Sequence, residues 1–274
     1  MNTTTLEKLD NLIFLKLGGS LITDKHQPRT PRQDVLDRLA DEIGAVWREQ
    51  NGLRLVLGHG SGSFGHVPAR KHGTRQTVQS REEWIGFAEV WYEAQLLNRL
   101  VMDALVRAGL PAIAFSPVSS AVAHDGRVQD WNLIPVQQSL QAGLLPVIYG
   151  DVAFDTLRGG TILSTEDLFG HLAVMLRPKR ILLAGIEAGV WADFPACTRL
   201  VPEIRPENYG EVSAILSGSA ATDVTGGMAS KVQSSLELVG RVPGLQVIIF
   251  SGEAPGSLNS MLLGSTDGTL IHAD

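Results

Sequence analysis

The chain has 274 residues, 44% hydrophobic and 19% charged, so it can bury a full core, which excludes a disordered tail or a disulfide-stapled miniprotein. Its formal net charge of −6 offers no basic field for nucleic acid, and no run of about 18 apolar residues could cross a bilayer. A single cysteine, Cys197, and a polar start without an apolar secretory segment favour a cytoplasmic protein that binds small molecules.

Apolar runs alternate with amphipathic segments along the chain. In order, the pattern predicts a strand at 12–17, a helix at 30–51, a strand at 53–57, a helix at 80–109, a strand at 111–115, a hairpin at 123–128, a helix ending at 143, a strand at 145–149, a hairpin at 153–163, a helix opening at 164, a strand at 181–184, a helix at 228–239, and strands at 245–250 and 269–272. Thr30 is the predicted N-cap of the first helix, with Gln33 closing a capping box. A proline-rich crossover and a Gly/Ser/Thr loop at 217–227 precede the last helix.

Strands alternate with helices at least five times, and most of the strands are continuous apolar runs. This pattern predicts an α/β fold in which helices cover both faces of a mostly parallel central sheet, a three-layer αβα sandwich. Ligands of such sheets bind at the carboxyl ends of the strands, and the glycine-rich turns of this chain fall at those ends.

Three glycine-rich elements could bind phosphate. Lys16 precedes Gly18 and Gly19 at the end of the first strand, and the turn at 60–65 has G-x-G-x-x-G spacing. That spacing is a weak signal, because the turn follows the second strand and no acidic ribose ligand ends the next one. Residues 223–231 place paired glycines at a helix start and Lys231 one turn inside it. Backbone N–H groups and lysines bind phosphate, although each turn alone could need glycine only for its shape.

These motifs resemble those of one family. The runs are KLGGS at 16–20, HGSGSFGH at 59–66, YGD at 149–151 and DVTGGMASK at 223–231. They are similar to the amino acid kinase superfamily and, more narrowly, to isopentenyl phosphate kinases. The run that ends at His66 is the most specific, because that family uses the histidine to hold the substrate phosphate.

The resemblance implies an amino acid kinase-like fold and transfer of the ATP γ-phosphoryl group to isopentenyl phosphate, with Mg²⁺ shielding charge and a homodimer as the assembly. It implies one domain over 1–274, with an acceptor-binding lobe at about 1–176 and a nucleotide-binding lobe at about 177–274. The implied catalytic residues are Lys16, Lys25, His66, Glu166 and Lys231. The implied substrate contacts are Ser61, His66, Gly150 and Asp151. The implied ATP contacts are Lys16, Gly18, Gly19, Ser20, Gly62, Gly227 and Lys231, and no residue is expected to be a metal ligand.

Two segments depart from the family pattern. Where the family reads Ser-Gly-Asp, this chain has Ser-Thr-Glu-Asp at 164–167, so the carboxylate that orients the lysines is Glu166, or Asp167 after a one-residue slip. Asp167 could also be only the capping-box acid of the helix. The segment 185–191 lacks two acids of the family's nucleotide segment, and Trp191 could pack on adenine or in the core.

Other residues keep two interpretations. His59 is interpreted as a partly buried histidine with satisfied hydrogen bonds. Trp84, Phe87 and Trp91 would form one apolar stripe on the long helix, either packed in the core or receiving an isoprenoid tail. The alternative functions are a kinase of another small phosphate or phosphonate such as fosfomycin, and a nucleotide-binding regulator that has lost catalysis.

Overall fold

The computed structural model describes residues 11–50, 52–218 and 227–274. The strands are β1 Leu12–Leu17, β2 Arg54–His59, β3 Ala112–Phe115, β4 Ala121–His124, β5 Arg127–Trp131, β6 Leu145–Tyr149, β7 Asp151–Asp155, β8 Gly159–Leu163, β9 Arg180–Gly185, β10 Val190–Trp191, β11 Leu200–Val201, β12 Glu203–Ile204, β13 Gln246–Ser251 and β14 Thr269–Ile271. The α-helices are α1 Gly19–Ile22, α2 Gln33–Glu49, α3 Gly62–His72, α4 Arg81–Arg107, α5 Ile134–Gln141, α6 Thr165–Leu176, α7 Tyr209–Gly218, α8 Gly227–Arg241 and α9 Ser257–Leu262.

The main sheet has eight strands in the order β12-β14-β13-β9-β1-β2-β6-β3. Six neighbouring strands, from β13 to β3, run parallel, and β14 is antiparallel to β13. A smaller sheet of order β5-β4-β7-β8 and the pair β10-β11 complete the strands. The α/β class with a mostly parallel sheet is confirmed.

Each face of the main sheet has its own apolar core. In β1, Leu12 and Phe14 pack with residues of α6 and α8, whereas Ile13, Leu15 and Leu17 pack with residues of α2, α4 and α9. Because side chains alternate along a strand, these two sets lie on opposite faces, which gives the three predicted layers. The same alternation places Lys16 on the face covered by α6 and α8.

The strand β1 pairs with β2 on one side and with β9 on the other, so residues before and after 176 build one sheet. The division into an acceptor lobe and a nucleotide lobe stays a prediction. In the described part of the chain, no helix is both long and apolar enough to cross a membrane.

Several predicted elements differ from the structure, and the short helix α1, Gly19–Ile22, was not predicted. The capping box of Thr30 and Gln33 is wrong: α2 begins at Gln33, and its N-cap Arg32 makes no side-chain cap. Thr30 instead donates its hydroxyl to the carbonyl of Pro28 in the preceding turn. The glycine turn is wrong from Gly62 onward, because α3 starts there despite two glycines and a proline, which are poor helix formers.

The other differences lie in the second half of the chain. The helix α7 occupies the end of the region predicted as a crossover, so residues 217 and 218 belong to a helix. The rest of the predicted 217–227 loop, at 219–226, lies outside the described residues, and with it Asp223 and Gly226. The short helix α9 was not predicted at all.

Candidate active site

The backbones of two glycine turns touch at the carboxyl ends of β1 and β2. A Cβ atom on Gly19 would lie 2.5 Å from the Gly62 nitrogen, and one on Gly60 would lie 2.9 Å from the Gly19 nitrogen. The buried Thr23 joins the turns, because its hydroxyl donates to the Gly19 carbonyl at 2.7 Å and accepts from the Ser63 N–H at 2.9 Å. The implied ATP contacts at 18–20 and at Gly62 therefore form one surface.

Gly19→Ala is expected to destabilise the protein by about 2 kcal/mol or more, because the new methyl group meets backbone atoms that no rotamer change can move aside. Gly170→Ala is the matched control: it lies within α6 with open space around its Cα, and alanine should stabilise that helix by about 0.5–1 kcal/mol. Thermal unfolding of both variants checks the prediction, and equal melting temperatures would contradict it.

The contact between Lys16 and Glu166 depends on how closely α6 approaches β2. Gly58 is the register partner of Lys16, and a Cβ there would lie 2.6 Å from side-chain atoms of Thr165 and Phe169. The Thr165 hydroxyl donates to the buried His59 carbonyl at 2.6 Å, which fixes the first turn of α6 at the end of β2. Glu166, the next residue, then accepts a hydrogen bond from the Lys16 ammonium in an ion pair.

Glu166 interacts with two lysines. Burial raises the pKa of its carboxyl group, but the positive charges of Lys16 and Lys231, with the hydrogen bond from Lys16, lower that pKa below its ordinary value overall. Lys231 lies one turn inside α8, which begins at Gly227. The structure thus brings three implied catalytic residues together at the edge where the glycine turns lie.

Asp167 caps the start of α6. Ser164 and Asp167 form a complete capping box: the Ser164 hydroxyl accepts from the Asp167 N–H at 3.1 Å, and the Asp167 carboxylate accepts from the Ser164 N–H at 2.8 Å. The Asp167 carboxylate also accepts from the Ser164 hydroxyl at 2.7 Å and pairs with Arg75 at 3.6 Å. This geometry favours the ungapped match, with Glu166 as the carboxylate that orients the lysines.

Glu166→Gln is expected to lower kcat more than Asp167→Asn does. A carboxylate that orients ammonium groups needs its charge, whereas a helix cap needs mainly an acceptor oxygen, and loss of a good cap costs about 1 kcal/mol of stability. Steady-state kinetics and thermal unfolding of both variants separate the two effects. The reverse ranking of kcat would give the catalytic role to Asp167.

Lys25 and His66 lie on segments that adjoin the glycine turns. Lys25 is exposed in the turn between α1 and α2, and this turn contacts the start of α3 through hydrogen bonds to Ser63. His66 is exposed in the second turn of α3, five residues after the N-cap Ser61. Their roles toward a substrate stay predictions.

The Asp151 side chain is only 1% exposed, and its expected role as a substrate contact stays a prediction. That carboxylate accepts from the Val152 N–H at 2.8 Å, from the Ser116 hydroxyl at 3.1 Å and from the Gln95 amide at 3.3 Å. Burial raises its pKa to about 7. Its neighbour Gly150 is half-buried and close to the first turn of α6, where its backbone stays a predicted substrate contact.

Asp151→Asn is expected to gain stability relative to wild type as the pH rises. The folded protein keeps a proton on Asp151 up to about pH 7, whereas the unfolded chain loses it near 3.8, so the native state binds more protons between these values and wild-type stability falls across them. Melting temperatures at about pH 5 and about pH 8 should differ more for wild type than for the variant. Parallel curves would contradict the shift.

Burial bears on two of the secondary interpretations. His59 is buried between its hydrogen-bond partners Asn98 and Gly60, and burial lowers its pKa, which confirms a satisfied histidine. The single aromatic stripe is wrong in part: the rings of Trp84 and Phe87 contact each other and Phe154, but Trp91 is 40% exposed outside that cluster.

The segment 185–191 contains a local hydrogen bond in place of the missing acids. The Trp191 indole N–H donates to the Glu187 carboxylate at 2.8 Å, and the ring is half-buried. The two interpretations of this ring, packing in the core and contact with adenine, both stay predictions.

The donor set of the site suits phosphate rather than a bare cation. Lysines and backbone N–H groups surround it, and Glu166 is already paired with Lys16. Within the described residues, no group of three or more His, Cys, Asp or Glu side chains could hold a metal ion. A magnesium ion that arrives with a nucleotide would be held by phosphate oxygens and water, as Mg²⁺ commonly is.

A parallel sheet with lysines and glycine turns at the carboxyl ends of its strands has the architecture of a phosphate-transferring enzyme. The model of the amino acid kinase family matches residues 11–251, and the chain belongs to that family. The resemblance inferred from the sequence motifs is thereby confirmed.

The most similar relatives include several isopentenyl phosphate kinases. The enzyme from Methanothermobacter thermautotrophicus is 33% identical over 264 residues, which cover 92% of this chain and 96% of the relative. The one from Arabidopsis thaliana is 30% identical over 272 residues, with 81% and 82% covered. A solved X-ray structure of isopentenyl phosphate kinase superposes with a TM-score of 0.80 at 30% identity, covering 95% of this chain and 99% of the other.

Sequence reasoning missed the residues that support the site. Thr23 and Thr165 each fix a turn through a buried hydroxyl, and Gly58 leaves room for α6. The position of Thr165 between a helix cap and Glu166 was an available signal, since hydroxyl residues favour helix starts. The sequence around Thr23 carried no such signal. Its hydrogen-bond partners lie in two glycine turns that come together only in the folded protein.

Proposed function

We propose that this chain transfers the γ-phosphoryl group of ATP to isopentenyl phosphate and forms isopentenyl diphosphate and ADP, a step of isoprenoid precursor synthesis. The observation that carries the proposal is the Lys16–Glu166–Lys231 cluster beside two fused glycine turns, one of which continues into the helix of His66. The full-length similarity to isopentenyl phosphate kinases supports this substrate over other acceptors.

The chemistry needs little from the protein besides charge and alignment. An oxygen of the acceptor phosphate attacks the γ-phosphorus of ATP, and the bond from that phosphorus to the β–γ bridging oxygen breaks, which releases ADP. The second pKa of a phosphate monoester is about 6, so the attacking oxygen carries negative charge at neutral pH and no general base is required. Catalysis then depends on holding two anions in line and stabilising the charge that moves between them.

The chain's own residues divide this work by position. Lys16 and Lys231 bind the ATP phosphates, with Glu166 fixing both ammonium groups. Backbone N–H groups of Gly19, Ser20, Ser61 and Gly62 contact phosphate oxygens, helped by the positive end of the α3 dipole. The Gly18 N–H donates to the Ala184 carbonyl at 2.8 Å, so Gly18 supports the turn through this bond. Lys25 stabilises the transferring group, and His66 donates a hydrogen bond to the acceptor phosphate.

Three further properties belong to the proposal. Mg²⁺ enters with ATP and offsets phosphate charge, the chain assembles as a homodimer, and it works in the cytoplasm. Family resemblance supports the first two, and the single cysteine supports the third.

The test is an acceptor panel. Purified protein is incubated with ATP, Mg²⁺ and isopentenyl, dimethylallyl or geranyl phosphate, or fosfomycin, while ADP release is followed. Isopentenyl phosphate is expected to give the highest kcat/KM, and a Lys16→Ala preparation purified identically controls for contaminating kinases. Turnover of fosfomycin with no isoprenoid phosphate accepted would contradict the proposal.

A further inference from the structure

Helix α4 carries a buried acid that no step of the reaction uses. The Glu93 side chain is only 2% exposed, and its carboxylate accepts two hydrogen bonds from the Arg29 guanidinium, one from Nε at 2.8 Å and one from a terminal nitrogen. This fork joins residues 64 positions apart in the chain. Burying a carboxylate costs several kcal/mol in desolvation, so an ion pair of this kind is weak evidence for stability and calls for another reason.

Arg29 belongs to the turn that carries Lys25. The turn leaves α1 at Thr23 and returns to α2, and the Asp24 N–H donates to the Thr30 carbonyl at 2.9 Å across it. The Arg29 N–H donates to the Ser63 carbonyl, and the Thr30 N–H donates to the Ser63 hydroxyl, both at 3.3 Å. Lys25 lies between these attachments and is itself exposed.

The backbone of Arg29 adopts a conformation that is unfavourable for a residue with a side chain. Its φ is +54°, in the left-handed region, which costs a residue with a Cβ about 1 kcal/mol or more. Asparagine or glycine would fit that conformation with less strain. Arginine there gains the fork to Glu93, and its side chain is 60% exposed, so packing does not explain its presence.

The same helix also holds α3. Glu89, one turn before Glu93 on α4, accepts from His72 at 2.7 Å and from Lys71 at 3.2 Å, both at the end of α3. Two carboxylates four residues apart therefore attach the segment of Lys25 and the helix of His66 to one rigid element.

We propose that Glu93 and Arg29 are a positioning pair that holds the Lys25 turn in register with α3, so that Lys25 meets the phosphoryl group transferred to the acceptor. The inference rests on the role given to Lys25 in the proposed function. Neither residue touches a substrate; both act through Lys25.

A double-mutant cycle tests this pair. Arg29→Met is expected to lower kcat about 10-fold in the wild-type background and to have no further effect in Lys25→Ala, with the KM for ATP unchanged within about 2-fold. Arg29→Lys, which keeps the charge but not the fork, should recover part of the rate. Arg99→Met is the matched control, because Arg99 pairs with Asp103 on the exposed side of α4 and should not change kcat.

A second variant distinguishes an effect on stability from an effect on the position of Lys25. Arg29→Met leaves a buried carboxylate unpaired, whereas Arg29→Met with Glu93→Gln removes both charges. The double variant should regain most of the lost melting temperature while kcat stays low. If kcat recovers together with stability, the pair is only structural and the inference is overturned.

Amide hydrogen exchange measures the stability of the turn on the protein alone, without an acceptor substrate. The amides of Arg29 and Thr30 should exchange faster in Arg29→Met, while those of α4 stay protected. Unchanged exchange there, equal kcat losses with and without Lys25, or an unchanged kcat in Lys25→Ala would each overturn the inference. A wild-type protein that accepts no isoprenoid phosphate would contradict the proposed function instead, and the exchange experiment would still decide whether the pair holds the turn.

Discussion

Lys16→Ala and Lys231→Ala are each expected to lower kcat by about 10²-fold or more, because each removes a positive charge aimed at the phosphoryl group in transfer. The fold should survive: Lys16 lies at the end of β1 and Lys231 lies half-buried in the second turn of α8. When either lysine is lost, the other remains near Glu166, so this half-buried carboxylate keeps a positive neighbour.

The measurements are steady-state kinetics with saturating ATP and a circular-dichroism melt of each variant. Lys179→Ala is the matched control, since that lysine is bonded to Asn11 at the opposite end of β9 and should keep wild-type kcat. Wild-type turnover by an intact Lys16→Ala or Lys231→Ala protein would contradict the assignment.

His66→Ala is expected to lose most of kcat/KM for isopentenyl phosphate while ATP affinity barely changes. The imidazole is exposed in the second turn of α3, and the proposal assigns it to the acceptor, whereas it assigns ATP to Lys16, Lys231 and the turn at 18–20. Gln or Asn at this position keeps a neutral donor of similar reach, and either should recover about 1–2 kcal/mol of transition-state stabilisation. The recovery would identify the histidine as a hydrogen-bond donor rather than a base.

Isothermal titration with ATP and kinetics with isopentenyl phosphate distinguish this role from packing against the following residues 67–70. Packing would make both replacements lower the melting temperature and impair ATP and acceptor kinetics together. His272→Ala serves as control, because that histidine pairs with Glu203 near the far edge of the sheet. Weakened ATP affinity with unchanged acceptor kinetics would falsify the proposed role.

Local sequence patterns were sufficient to predict most strands and long helices of the fold. Apolar runs marked β6 at its observed bounds, and Ser80 with Glu83 marked the start of α4, where the full capping box forms. Composition misled at α3: glycines at 62 and 65 and Pro68 argue against a helix, yet contacts with Thr23 and α4 hold one there. Tertiary packing overrode propensity at that point.

The site was predicted in its parts but not in its connections. Lysines and glycines next to strand ends are visible in a sequence, and so is the ambiguity between Glu166 and Asp167. The geometry that favours Glu166 follows from the position of α6, which depends on the absent side chain of Gly58 and the hydroxyl of Thr165. The Glu93–Arg29 pair was equally hidden, because it joins distant segments through one buried carboxylate.

The ion pair of Lys16 and Glu166 also bears on which anions would bind at this site. Because the Lys16 ammonium donates to Glu166, an incoming phosphate would compete with a tethered carboxylate whose effective concentration is high. A monovalent anion with one contact gains too little to displace it. If the proposed ATP contacts hold, a triphosphate would reach Lys231 and the glycine amides as well, so this ion pair is expected to favour anions with several contacts over simple salts.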